Sequence, residues 1–137
     1  MTARPLPWKA AAAASTTLLL LTAGCSSSPE EEWPNEQVRN IAFHEYACKR
    51  METDDPSHVA SSAIATIPTL TDADAGDRAV ALRHASMVSN GVKPTCDISS
   101  TDYDYTFARA WQKYLEETEG ADFTPAVARE HGVDFFD

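Results

Sequence analysis

His44 and Cys48 stand four residues apart, so on a helix an imidazole and a thiol would share one face. Those are ligand types that Zn2+ prefers, and Cys96 with either His84 or His58 would complete a set of four. Asp72-Ala73-Asp74-Ala75-Gly76-Asp77 has the alternating carboxylates of a calcium loop. Its glycine comes one position early, however, and Arg83 stands where the distal glutamate is needed, so these acids read better as helix caps. Asp97, Asp102 and Asp104 likewise suit turns and first helical turns. Hydrolytic chemistry would need an activated nucleophile, a base and an orienting group. The chain has no nucleophile elbow and no glycine-rich phosphate loop, and His84 and Ser86 do not share a helix face. The expectation is a non-enzymatic protein without a cofactor.

The remaining attraction is aromatic. Tyr103, Phe107, Trp111 and Tyr114, with Ala110 and Leu115, form the clearest apolar stripe in the sequence. Such a stripe is either the core of a small domain or a groove for a lipid, a small hydrophobic molecule or a partner helix. An exposed Trp111 would decide for the groove. Phe135 and Phe136, flanked by acids, either close the fold or offer a short motif to another protein.

The elements that must position these residues are helices. Glu36 to about Thr53 places Val38, Ile41, Ala42 and Phe43, Ala47, Met51 at helical spacings, with basic residues near its end. Asp55-Pro56 is a cap followed by proline at the first helical position, and that helix runs to Pro68. Thr71, with Asp74 three residues on, predicts the start of a third, which Asn90-Gly91 ends. A turn carries Cys96, then Ser100 or Thr101 caps the aromatic helix, which ends at Gly120. Thr124-Pro125 opens a last short helix ending at Gly132. No strand run or internal repeat is evident, so the expectation is all-α: a small compact bundle of four main helices plus a short C-terminal helix.

The N-terminus has a different character. Arg4 and Lys9 precede an apolar run from Ala10 to Leu21, which is followed by Thr22-Ala23-Gly24-Cys25. The run is shorter than the roughly 20 residues that span a bilayer. This layout resembles a bacterial lipoprotein signal peptide. The resemblance implies that residues 1–24 are removed and that Cys25 carries the lipid. Buried acyl chains such as palmitate contribute about 0.8 kcal/mol per methylene, and two or more chains anchor stably. It further implies a cell-membrane location on the extracytoplasmic face. That oxidising setting leaves Cys48 and Cys96 as a natural disulfide pair, favoured over the zinc reading.

Residues 25–35 then read as an acidic Ser/Pro/Glu tether, and residues 36–137 as the helical domain. Trp33 is the exception within the tether, suited either to packing on the domain or to touching the bilayer interface. Losing residues 1–24 leaves 137 − 24 = 113 residues, one domain's worth, and shifts the net charge from −10 to −12 because two bases and no acid depart. Nucleic acid is excluded as a partner, since it needs a basic footprint. The acidic surface serves solubility or basic partners. The function expected is a lipid-anchored envelope protein acting through contacts with another envelope protein. The alternative is a binding protein for a metal ion or small hydrophobic ligand.

Overall fold

The computed structural model describes residues 31–134. The signal segment, Cys25, most of the tether and the Phe135-Phe136 pair lie outside them. Five α-helices follow in order: α1 Glu36–Thr53, α2 Pro56–Thr66, α3 Ala75–Ser89, α4 Tyr105–Glu119 and α5 Pro125–Glu130. Single 3-10 turns at Ile67–Thr69 and Gly120–Asp122 extend α2 and α4, and no strand occurs among the described residues. The domain is all-α, with four main helices and a short fifth.

Each helix begins at a side chain that accepts an otherwise unpaired backbone N–H. Asn35 takes that of Val38, Asp55 that of His58, Asp104 that of Phe107 and Thr124 that of Val127. Such a cap contributes about 1 kcal/mol. Pro56 and Pro125 occupy first-turn positions where a missing N–H costs nothing. Gly91 (φ 110°) and Gly132 (φ 76°) supply the left-handed residues just past α3 and α5.

Two starts differ from expectation. α3 begins not at Thr71 but one turn later, where Asp74 and Asp77 form a reciprocal capping box. The intervening chain has other work: Leu70 and Ala73 are buried, and Arg78 donates back to the Leu70 carbonyl at 2.7 Å. α4 is capped by Asp104, not by Ser100 or Thr101. Those residues are used in local turns, in which the Asp97 carboxylate accepts from Ser99 and the Ser100 hydroxyl from the Asp102 N–H. Side chains that bond neighbouring backbone compete with helix formation.

α4 is the helix around which the others are arranged. α2 packs on both α3 and α4, α3 also touches α4, and α1 rests on α4 and α5. Ala60, Ala63, Ala81, Ala85 and Ala110 are all essentially buried where α2, α3 and α4 meet. Small side chains at such contacts let helix axes approach closely. Phe43, Met51, Phe107, Trp111 and Leu115 fill the wider space. Trp33 stacks on Phe123 with centroids 5.1 Å apart and donates its indole N–H to the Phe123 carbonyl at 3.0 Å. The chain thus joins the domain at Trp33, before Glu36.

Candidate functional site

The candidate zinc ligands do not converge. Cys48 and Cys96 face each other at disulfide distance, with Cα atoms 5.4 Å apart, so their sulfurs are spent on one another. The bond ties α1 to the loop before α4 rather than to a helix packed beside it, since α1 lies mainly against α4 and α5 instead of α3. His44 is exposed; its Nε2 lies 3.9 Å from the Cys48 sulfur and its Nδ1 is 2.9 Å from the Gln112 amide oxygen. His84 is buried against Phe107, ring centroids 4.7 Å apart, and His58 meets Trp111 edge-on. No group of three or more potential ligands capable of holding a metal occurs among the described residues. The calcium-like acids have been used structurally, Asp74 and Asp77 in the capping box and Asp72 in an ion pair with Arg109 at 2.8 Å.

The aromatic run is also not a surface as a whole. Phe107 and Trp111 are each 1% exposed, and the Trp111 indole donates to the Ala47 carbonyl at 2.9 Å, locking α4 to α1. Tyr114 is half-buried, stacked on Trp111. Tyr103 lies outside the helix altogether, because α4 starts two residues later. Its phenol is pushed up, first by burial and then by the nearby Tyr105 and Asp104.

The structure also shows two other arrangements. The first is a seam of ion pairs between α1 and the end of α4. Arg39 grips both oxygens of Glu116 at 2.8 and 2.9 Å, donates to the Gly120 carbonyl at 3.0 Å, and lies over the Phe43 and Phe123 rings. A Cβ at position 120 would run into the Glu116 carboxylate, so glycine there makes room for the grip. About three helical turns further along α1, Arg50 bonds Asp54 at 2.8 Å and Glu119 at 2.7 Å, while the Tyr46 hydroxyl donates to Glu119 at 2.6 Å. Burial and the bond to Glu119 raise the Tyr46 phenol to about 12. Burial works against the Glu119 charge, but the bonds from Arg50 and Tyr46 outweigh it and hold this carboxyl below its usual range. These groups satisfy one another and brace the fold.

The second arrangement is a mouth between α3 and the start of α4. Two open hollows, about 320 and 230 Å3, share Val80 and Asp104 in their linings. His84 and Tyr103 line the smaller, and Arg109 and Tyr105 the larger. Val80 and Met87 are each 43% exposed and Tyr105 63%. The sequence did hold a signal for this. The apolar residues of α3 do not fall on one stripe, so Val80 and Met87, seven apart, cannot share the buried side with Ala81, Ala85 and Val88. Comparison with protein-family models, curated proteins and solved structures finds no match, so function must be argued from this chain's own residues.

Proposed function

We propose that this chain is a lipid-anchored, non-enzymatic protein of the bacterial envelope, held on the extracytoplasmic face of the cell membrane, whose helical domain acts by contacting another envelope protein. The observation that carries the reading is Cys25 at the end of a short cationic and apolar leader, with small residues before it. The pairing of Cys48 with Cys96 is consistent with an oxidising compartment. The grouping of exposed apolar side chains at the α3–α4 mouth suits a protein contact, as monomeric surfaces seldom cluster them.

The test is fractionation of cells carrying the full chain and its Cys25→Ala variant, followed by amine cross-linking of the membrane fraction. The natural chain is expected in the membrane fraction, with its N-terminal peptide beginning at an acylated Cys25 and with a reproducible envelope protein in the cross-links. The variant is expected to lose both. An N-terminal peptide without acyl chains, or membrane-bound protein that cross-links to nothing, would overturn the proposal.

A further inference from the structure

We infer that the α3–α4 mouth is the docking surface, and that its occupant is a basic, partly apolar segment of a partner protein. This rests on the proposed envelope function and goes beyond it by assigning the surface and the partner's chemistry. Seven large apolar side chains are well exposed among the described residues, and four of them, Val80, Leu82, Met87 and Tyr105, lie on α3 or at the first residue of α4. Val80, Met87 and Tyr105 border the two hollows directly.

Two independent features say what fits there. One is charge: Asp72, Asp77, Asp102 and Asp104 border the hollows against Arg83 and Arg109, and Arg109 is already held by Asp72 at 2.8 Å. The excess of acid matches the chain as a whole, at −10, and favours a basic partner by charge complementarity. The other is His84. It is 8% exposed, lines the smaller hollow, and meets Phe107 edge-on, yet no described residue is found to hydrogen-bond its ring nitrogens. Its ring nitrogens are not among the fully buried unpartnered atoms, so they open onto the hollow, where an incoming backbone or side chain can bond them in place of water. An anionic membrane surface is the poorer occupant because the acidic rim would repel it.

The experiment uses the full chain in its own cells, with a photo-crosslinking amino acid placed singly at Val80, Met87 or Tyr105, and at Ile41 or Ile98 as exposed controls. Adducts are expected at positions 80, 87 and 105, and mass spectrometry is expected to place the cross-link in a segment with net positive charge and apolar residues. Asp102→Lys is expected to lower their yield about fivefold, whereas Glu130→Lys on α5 leaves it unchanged. Adducts to lipid alone, an acidic cross-linked segment, or indifference to Asp102→Lys would overturn the inference. Protein adducts only at Ile41 or Ile98 would sink this surface while leaving the proposed function standing. No protein adduct at any of the five positions would sink both.

Discussion

The two ends of α4 are put to opposite uses. Its C-terminal half carries Glu116 and Glu119 into a seam where each charged group faces an arginine of α1. Its N-terminal end carries Tyr105 into a mouth where its ring is 63% exposed and where His84 lines an open hollow. Closed polar networks fix a packing arrangement, whereas open apolar rims fix nothing until something covers them. The contrast separates residues that make the fold from residues free to serve a contact.

The largest effect should come from breaking the side that makes the fold. Trp111→Ala removes a side chain that is 1% exposed and the indole's bond to the Ala47 carbonyl. A loss of about 3–5 kcal/mol is expected by chemical denaturation, a large share of a small domain's stability. Opening the Cys48–Cys96 bond by substituting both with alanine frees a loop with a sequence separation of 48. On the chain-entropy estimate this should cost about 4 kcal/mol at most. Intact mass under non-reducing conditions checks that the bond is present: two free thiols in freshly isolated protein would contradict it.

A smaller, pH-dependent effect belongs to the seam. Because Glu119 titrates below its usual range in the fold, its stabilisation is complete above the unfolded-state value and is lost as pH falls through the folded one. Glu119→Gln is therefore expected to flatten the acid limb of the stability profile, costing about 1 kcal/mol at neutral pH. Tyr46 has the opposite sign: raised to about 12 from 10.0, its contribution is present below pH 10 and lost as pH climbs toward 12. The smallest effect is expected at the mouth. Val80→Thr and Met87→Gln should each change stability by less than about 0.5 kcal/mol, and a larger loss by denaturation would show that these residues belong to the core.

Much of the fold, but little of this contrast, was legible in the sequence, for reasons that differ along the chain. The fold class and the caps at Asp55 and Thr124 were readable because they depend on neighbouring residues alone. The starts of α3 and α4 were displaced because Leu70 and Ala73 are claimed by the core, and because Ser100, one of the two expected caps, is claimed by a turn. No local pattern records such claims. The aromatic run was visible, but its division into buried Phe107 and Trp111 and an off-helix Tyr103 depended on where α4 begins. The seam joins residues such as Arg39 and Glu116, 77 positions apart, so it could emerge only from the packing of α1 on α4. The mouth was foreshadowed by the scattered apolar residues of α3, although only the structure shows which of them face outward.

The central claim is that the mouth is covered when the protein is in place. Hydroxyl-radical footprinting of intact cells, set beside the purified full chain, tests it most directly. Met87 and Tyr105 are expected to oxidise several times more slowly in cells, while His44, exposed on α1, reacts equally in both. Equal oxidation of Met87 and Tyr105 in the two settings would contradict the account.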